Sequence, residues 1–418
     1  MKSRTGRLIL IIGIIAAFIP SICHGDSAEV LPKGIFYFDT TYYHYFDIEK
    51  RYNPDGHTED IDIDYNTNLD STVFPALAPL NPLVGGNASI GRSVVDFTWK
   101  YDWFEFKLAY GITDKLSVGV LIPYNHTKNE VKANIDTSTA NVGKNPLYGT
   151  PDDPFKSPII PLAMGGVPFN KEDTIALLGN GLDVNKDGVV DVPGFGYKRF
   201  ESWSDTMLGD IEIGAKYQFY NKGPWSFAGL VGLRLPTGEV DDPDDLVDIK
   251  PGDGQADILL RLFADYTGIK NLLLATTLYY DIQLPDKQKL RVLDDVNFPL
   301  TVNKETVDRD LGDAFEVRIL GNYSLSKAVS AGLEYRFTAK AKDSIDGDKG
   351  YCYSCMEEET DYTSHMILAS LGYSTMQMYM DKKFKVPLNA SITYRNRFAG
   401  TNNVTKSQYI SLDLGVYF

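Results

Sequence analysis

The chain of 418 residues is poor in cysteine, in basic residues and in long apolar stretches. It contains 3 cysteines, and its 41 lysines and arginines are outnumbered by 56 aspartates and glutamates, which gives a formal net charge of −15. This acidic balance argues against nucleic-acid binding, which needs a basic surface. So few cysteines exclude a fold that depends on many disulfides. After residue 20, no apolar run approaches the roughly 20 residues that a membrane-spanning helix requires.

The N-terminus has the pattern of a secretory signal peptide. Three basic residues (Lys2, Arg4 and Arg7) precede the apolar run Leu8–Pro20, and small residues before Asp26 suit cleavage there. The apolar run is too short to span a bilayer, which takes about 20 residues. We therefore predict a signal peptide over residues 1–25, export from the cytoplasm, and a mature chain over residues 26–418.

The end of the chain alternates between apolar and polar side chains. The apolar set is Ile410, Leu412, Leu414, Val416 and Phe418, and the other set is Tyr409, Ser411, Asp413, Gly415 and Tyr417. Successive side chains of a strand point to opposite faces, so this pattern predicts a strand with one wholly apolar face. A last strand that ends in Phe resembles the terminal strand of bacterial outer-membrane barrels, which the barrel-assembly machinery reads.

The same alternation recurs along the chain and predicts twelve strands. Charged residues occupy a whole face of strand after strand, which suits a wet lumen on one side and lipid on the other. Long polar connections at 49–90, 135–205, 240–254, 285–310 and 343–361 alternate with short turns. We therefore predict an all-β fold, a transmembrane antiparallel β-barrel of 12 strands with short periplasmic turns and long extracellular loops. Residues 135–205 form the longest loop insertion.

The charged side chains on the polar faces are the candidate pore-lining residues. They are Asp210, Glu212, Lys216, Arg234, Asp257, Arg261, Asp265, Glu316, Arg318, Glu334, Arg336, Lys340, Arg395 and Arg397. In an open barrel such residues would select the solutes that pass. A barrel of this size lies between small barrels filled by side chains and large ones with an aqueous channel. Because both signs are mixed, pairing across strands with partial occlusion and an open path both remain possible interpretations.

The middle of the chain resembles a known family. The stretches LGDIEIGAKYQF (Leu208–Phe219), GLRLPTGE (Gly232–Glu239) and GDGQADILL (Gly252–Leu260), with an acidic loop between the last two, are similar to proteobacterial outer-membrane proteins of the meta-pathway phenol-degradation (transporter) family. The resemblance is strongest over residues 208–266. It implies a channel for aromatic and other small hydrophobic compounds, and it supplies no catalytic residues.

The resemblance and the barrel pattern together favour a porin-like channel for passive uptake of small hydrophobic or aromatic solutes. The alternative is a structural or surface-interaction barrel that presents acidic extracellular loops and has no open pore. An enzyme is not expected. Twelve-stranded outer-membrane phospholipases use a Ser two residues after a His, whereas Phe46, Glu59, Lys128 and Ile367 stand at those positions here.

Cys352 and Cys355 lie in the predicted loop 343–361. A redox site would need a thioredoxin-like setting, and haem attachment would need a His where Met356 stands. A disulfide that tightens the loop is the better interpretation. The remaining cysteine, Cys23, could be the anchor of a lipoprotein. This alternative to simple cleavage is the weaker one, because Ile22 stands where a lipoprotein signal has a small residue.

The long loop contains a partial calcium-binding pattern. The candidate ligands are Asp183, Asn185, Asp187, Asp191 by their side chains and Val189 by its carbonyl, and Gly188 stands at the sixth place, where calcium loops turn sharply. At the twelfth place Gly194 replaces the usual bidentate Glu, so any Ca²⁺ site should be weak. A turn-rich acidic loop without metal is the alternative, and no other cofactor is expected.

These predictions place the protein in the outer membrane of a Gram-negative bacterium. The expected partners are outer-membrane lipid and lipopolysaccharide, a small-molecule solute, and the barrel-assembly machinery, which would bind the strand that ends at Phe418. No nucleic-acid partner is expected.

Overall fold

The computed structural model describes residues 27–296 and 298–418. The predicted signal peptide, residues 1–25, lies outside the described part of the chain. No helix among the described residues is both long and apolar enough to cross a membrane.

A closed antiparallel barrel of twelve strands dominates the structure. The barrel strands are β1 (Phe36–Tyr45), β2 (Ser89–Thr113), β3 (Leu116–Asp136), β4 (Ile211–Lys222), β5 (Trp225–Leu235), β6 (Asp257–Ile269), β7 (Leu272–Gln283), β8 (Ala314–Ser324), β9 (Val329–Lys340), β10 (Tyr362–Ser374), β11 (Leu388–Gly400) and β12 (Gln408–Tyr417). Each strand pairs with its neighbours in sequence, and β1 pairs with both β2 and β12, which closes the ring. The predicted strand number and fold class are confirmed.

The apolar faces point outward, as the alternation predicts. On β12 and at the residue after it, Leu412, Leu414 and Phe418 are 51%, 48% and 63% exposed, whereas Ser411 and Tyr417 are buried on the inside. Outward aromatic rings also pack across strands near the short turns, as in the pair Trp225 and Tyr266, whose centroids are 4.7 Å apart. Aromatic residues at the ends of an apolar band are typical of membrane barrels.

Two barrel strands are much longer than a bilayer requires. A tilted membrane strand needs about 9–11 residues, but β2 has 25 residues and β3 has 21. The hairpin stays paired from Thr113 with Leu116 at the short turn to Arg92 with Asp136 at the far end. Its outer half therefore extends beyond the barrel wall and supports the long connections.

The long connections fold into a packed outer cap, formed by residues 46–88, 137–202, 236–256, 284–296, 298–313, 341–361 and 401–407. Its strands are Lys50–Tyr52, Thr58–Asp60, Asn68–Asp70, Val142–Lys144, Ile159–Pro161, Asp286–Arg291, Lys304–Asp310 and Ser344–Asp346. Its α-helices are Asn81–Val84 and Lys171–Leu178, and its 3-10 helices are Ile63–Tyr65, Pro75–Leu80, Leu162–Met164 and Tyr353–Met356. A third α-helix, Met376–Met380, lies in the last short turn.

The outer cap has an apolar core of its own. Side chains that are far apart in sequence, among them Phe74, Leu77, Phe169, Leu182 and Leu300, pack in one cluster. The helix Lys171–Leu178 begins with a capping box. The Asn170 side chain accepts a hydrogen bond from the backbone amide of Asp173, and the Asp173 side chain accepts one from the backbone amide of Asn170. The acidic, glycine-rich connections are thus packed around an apolar centre.

The longest loop has different limits from those predicted. β3 continues to Asp136, and a further strand, Trp203–Leu208, pairs with β3 ahead of β4. The loop predicted over residues 135–205 therefore spans residues 137–202 in the structure. Sequence alternation misses the short strand because it carries polar side chains and is separated from β4 by Gly209 and Asp210.

Candidate functional site: the barrel lumen

The lumen wall formed by β4 to β8 carries a dense network of ion pairs. Arg234 on β5 pairs with Glu212 at 3.0 Å, with Asp257 at 2.5 Å and with Asp281 at 3.4 Å. The three carboxylates are almost fully buried. Each of these groups comes from a different neighbouring strand, and the inward alternation of the strands puts them side by side.

Aromatic rings separate the arginines of this wall. Arg261 pairs with Asp281, and Arg318 pairs with Glu316. Both guanidinium groups lie on Tyr279, at 4.3 Å and 4.0 Å from the ring centroid. A ring in contact with two cations attracts both through its π-electrons, which offsets part of the repulsion between the like charges.

The opposite wall, formed by β1, β2 and β9 to β12, is less completely paired. Lys107 contacts Asp39 at 3.1 Å and Glu105 at 3.2 Å. Arg336 pairs with Glu334 on its own strand. Arg395 instead lies near two tyrosine rings, and no salt bridge connects it to a carboxylate within the described residues.

The segment that precedes β1 enters the lumen from the side of the short turns. The amide of Ala28 donates to Asp265 (2.9 Å), the amide of Leu31 donates to the Ser117 hydroxyl (2.8 Å), and Gln218 donates to the carbonyl of Ala28 (3.0 Å). Lys216 donates to the carbonyl of Ser27. Residues 27–33, named here the N-terminal segment, therefore lie inside the half of the barrel that is nearer the short turns.

A cavity of about 420 Å³ remains beside the N-terminal segment. It is lined on one side by Ser27 and Glu29 and on the other by polar residues of β9 to β12, among them Ser370, Thr393 and Arg395. Its volume falls within the about 300–1,000 Å³ typical of small-molecule pockets.

The structure buries or half-buries all fourteen predicted pore-lining residues. Those near the centre belong to the networks described above. Three lie nearer the outer rim: Asp210 accepts from the amide of Gly238, Lys340 pairs with Asp343, and Arg397 donates to Thr405. Arg234 and Arg261 pair with carboxylates of other strands, whereas Arg318 and Arg336 pair within their own strands. Whether the lumen is open or partly occluded stays a prediction.

Sequence alternation missed several residues that shape the lumen. Asp281 and Tyr279 lie on β7, whose apolar pattern is weak, and Asp39 and Lys107 face each other from strands whose inner faces are mostly uncharged. The N-terminal segment has no alternation at all. Pairing each inward charge with the charges of adjacent strands would have found Asp281, because it completes the acidic set around Arg234.

The two predicted loop sites lie in the outer cap, away from the lumen. Cys352 and Cys355 are joined by a disulfide with a Cα–Cα distance of 5.4 Å. In the loop that contains Asp183 and Asp187, the carboxylates accept from backbone amides, including that of Gly188 at 2.8 Å. No group of three His, Cys, Asp or Glu side chains in residues 27–296 and 298–418 is arranged to hold a metal.

The charged region of the outer cap near the barrel mouth contains a half-buried carboxylate, that of Asp241. Asp241 accepts from the amide of Lys250 at 2.6 Å. Its burial, reinforced by the nearby charge of Asp248, raises its pKa to about 7. Asp241 lines a cavity of about 110 Å³ under the loops.

A closed twelve-strand barrel with an apolar exterior and a charged interior defines an outer-membrane β-barrel protein. Residues 173–409 match the model of the family described as "Putative MetA-pathway of phenol degradation", which is more than half of the chain, so the protein belongs to this family. The family resemblance of the sequence is therefore confirmed.

Solved structures support the same fold. An outer membrane channel from Pseudomonas putida F1 is similar over 94% of this chain and 99% of its own, with a TM-score of 0.53 and 13% identity. A FadL homologue from Pseudomonas aeruginosa covers 92% of this chain and 90% of its own, with a TM-score of 0.34 and 10% identity, and this likeness is too low to carry an argument. No curated protein matches the chain.

Proposed function

We propose that the protein is a passive outer-membrane channel for small hydrophobic or aromatic solutes. The observation that carries the proposal is the contrast between the N-terminal segment and the rest of the lumen. The wall is fixed by ion pairs between barrel strands, whereas the segment lies outside the strands and is held by hydrogen bonds to the side chains of Lys216, Gln218, Asp265 and Ser117 and by the packing of Ala28 and Leu31. A segment held in this way can leave without breaking a strand pair.

The solute class rests on two observations. The family description refers to phenol degradation, which points to aromatic compounds. In addition, the outer cap contains an apolar cavity of about 80 Å³, lined by residues that include Phe74, Ile135, Phe200 and Leu300. An apolar recess on the outer side suits the first contact with a hydrophobic solute.

The test is removal of residues 27–33 from the mature chain, followed by conductance in a planar bilayer and by solute uptake into liposomes. The deletion should raise both, because it vacates the periplasmic half of the lumen. Lys33→Ala is the matched control, since Lys33 contacts Asp114 through its backbone amide and keeps that bond. If neither the parent nor the folded deletion variant conducts or takes up solute, the structural alternative with no open pore replaces this proposal. Hydrolysis of phospholipid that depends on a residue of the chain would overturn both.

A further inference from the structure

Arg395 on β11 is a buried cation without an acidic partner. Its side chain points into the lumen and the residue is 8% exposed. The guanidinium lies 4.8 Å from the ring centroid of Tyr43 and 5.4 Å from that of Tyr409. Its Nε and Nη1 atoms have no hydrogen-bond partner, and it forms no salt bridge within the described residues.

The other arginines at the centre of the lumen differ from Arg395 in this respect. Arg234, Arg261, Arg318 and Arg336 each pair with at least one carboxylate. Burying a charge without a partner is costly, and a donor left unsatisfied adds to that cost. The tyrosine faces offset only part of it through cation–π attraction. A buried guanidinium with free N–H groups is therefore suited to an anion that arrives from outside the chain.

The strand register concentrates positive charge around Arg395. In one row across the wall, Glu334, Leu368 and Arg395 are neighbours on β9, β10 and β11. In the next row, Arg336 and Arg397 lie on either side of Met366. This patch therefore carries three arginines and one glutamate, and within the described residues the Arg397 side chain donates to Thr405 and to no carboxylate.

The nearest remaining carboxylate does not neutralise the patch. Asp413 on β12 accepts from the hydroxyls of Thr41 at 2.9 Å and Ser391 at 2.8 Å, and it forms no salt bridge with Arg395. Its charge reaches Arg395 only as a longer-range field. The charged and aromatic groups that face Arg395 from the neighbouring strands are thus other arginines, tyrosine rings, and carboxylates that are already bonded elsewhere.

The cavity of about 420 Å³ opens onto this patch. Arg336 and Arg395 both line it, together with the small polar side chains of Ser370 and Thr393. Leu368 and Leu121 supply apolar surface to the same cavity. A ligand with a charged head and a flat apolar body could place the head on the arginines and the body against the leucines.

We propose that Arg395, assisted by Arg336, binds the carboxylate of a small aromatic acid in the lumen cavity. A planar guanidinium matches a carboxylate with two parallel hydrogen bonds, and charge-assisted bonds of this kind are the strong ones. Each edge of the Arg395 guanidinium that can make two parallel bonds combines Nη2 with either Nε or Nη1, and neither Nε nor Nη1 has a hydrogen-bond partner within the described residues. A role of this site in selecting transported solutes rests on the proposed channel function. Binding of the aromatic acid does not depend on that function.

Equilibrium binding to the folded full-length mature barrel in detergent tests the inference. Benzoate and the neutral benzyl alcohol are titrated by calorimetry at a pH where benzoate is ionised. The parent should bind benzoate at least about tenfold more tightly than benzyl alcohol, because only benzoate can form charge-assisted bonds. Arg395→Gln should remove this preference and leave benzyl alcohol affinity unchanged, and Arg395→Lys should retain part of it.

Arg199→Gln is the matched control, because Arg199 is an exposed arginine of the outer cap that pairs with Glu172 and Glu201. It should bind benzoate like the parent. The inference is overturned if the parent does not prefer benzoate, if Arg395→Gln keeps the preference, or if millimolar chloride displaces benzoate completely. Should Arg395→Gln fail to fold, the parent and Arg395→Lys still test the inference. The preference for benzoate over benzyl alcohol should then be smaller in Arg395→Lys than in the parent, and an equal preference would overturn the inference.

The result is separable from that for the proposed function. Equilibrium binding does not require an open path, whereas uptake of a neutral solute by the variant without residues 27–33 does not require Arg395. Binding without uptake would reject the channel alone, and uptake without benzoate preference would reject the anion site alone.

Discussion

The barrel and the outer cap bury opposite kinds of side chain. In the barrel, charged residues such as Arg234 and Glu212 lie inside and apolar residues such as Leu414 lie outside. In the outer cap, apolar residues such as Leu77 lie at the centre, while ion pairs such as Lys287 with Asp308 lie on the surface. One chain thus follows two burial rules.

The difference follows from the solvent around each part. The outside of the barrel meets hydrocarbon, where an exposed charge is unfavourable, so charges gather in the lumen and pair there. The outer cap has water around it, so the hydrophobic effect drives its apolar side chains inward. The following predictions test whether the surrounding solvent determines which side chains each part buries.

Removing a charge from the barrel interior should have the largest effect. Arg234→Ala leaves the buried carboxylates of Glu212, Asp257 and Asp281 without their shared cation. Breaking a buried ion pair costs about 3–5 kcal/mol. The free energy of unfolding, measured by guanidinium titration in lipid vesicles, should fall accordingly.

Lys132→Ala is the control for this prediction. It breaks an ion pair with Asp96 whose two side chains are 76% and 56% exposed, so stability should hardly change. Equal losses in the two variants would show that the lumen network does not stabilise the barrel.

Removing an apolar side chain from the outer cap should have the next largest effect. Leu77 is 1% exposed, and Leu77→Ala should destabilise the cap by about 2–5 kcal/mol through lost burial and a cavity. Limited proteolysis should then cut the loops while the barrel stays intact. Leu83→Ala, at a residue 56% exposed in the next helix, should leave the cleavage pattern of the parent. Unfolding of the barrel together with the cap would contradict their independence.

The two parts also differ in how far the sequence predicts them. Alternation of period two specifies both the number of barrel strands and their facing, because lipid and lumen impose it on every strand. Ile410 to Phe418 illustrate this, since their facing follows from the pattern alone. Pairing partners such as Asp281 depend on register, which the pattern leaves open.

The packing of the outer cap cannot be predicted from alternation along the sequence. Its core joins Leu77, Phe169 and Leu300, which lie in three different loops and share no periodicity. The entry of Ala28 into the lumen has no local signal either, because its bonds are to residues more than 180 positions away. Contacts of this kind are decided by tertiary packing, which a single sequence does not display.

Reversing the polarity of the lipid-facing side should have a slightly smaller effect. Leu414→Arg places a charge on the exterior near mid-depth and should cost about 2–4 kcal/mol. Asp413→Arg, at the adjacent inward position beside the cavity of about 420 Å³, should cost less although it gives up the hydrogen bonds from Thr41, Ser391 and Ser411. The same guanidinium titration compares them, and equal costs would mean that the two faces are wrongly assigned.

The half-buried carboxylate of Asp241 should make the stability of the outer cap depend on pH. The pKa of Asp241 is raised by burial from an ordinary 3.8 to about 7, so the folded cap holds a proton that the unfolded chain releases. This contribution is full below about pH 4 and is lost as the pH rises towards 7. Protease resistance of the loops should fall over that range in the parent and less in Asp241→Asn.

Asp242→Asn provides a control of opposite sign. Although desolvation opposes it, the hydrogen bond from Lys198 holds the pKa of Asp242 below its usual value. The stability that Asp242 contributes is present above about pH 4 and is lost below it. Asp242→Asn should therefore weaken the cap at neutral pH, and a parent cap with no pH dependence would refute both assignments.

The smallest effect is expected for calcium at the surface of the outer cap. The side chains of Asp183, Asn185, Asp187 and Asp191 supply oxygen atoms at the spacing of a calcium loop, and the loop already turns at Gly188, whose φ is 89°. Without the bidentate Glu of such loops, the dissociation constant should be weak, on the order of 10⁻⁴–10⁻³ M. Proteolysis of residues 135–205 is compared in the parent and in Asp187→Ala, each with and without millimolar calcium. Calcium should slow cleavage in the parent and not in Asp187→Ala. Because the carboxylates already hold backbone amides, the loop keeps its shape without the ion, and the change should be modest. Equal cleavage in all four conditions would leave a metal-free acidic loop, in which these carboxylates serve only the backbone.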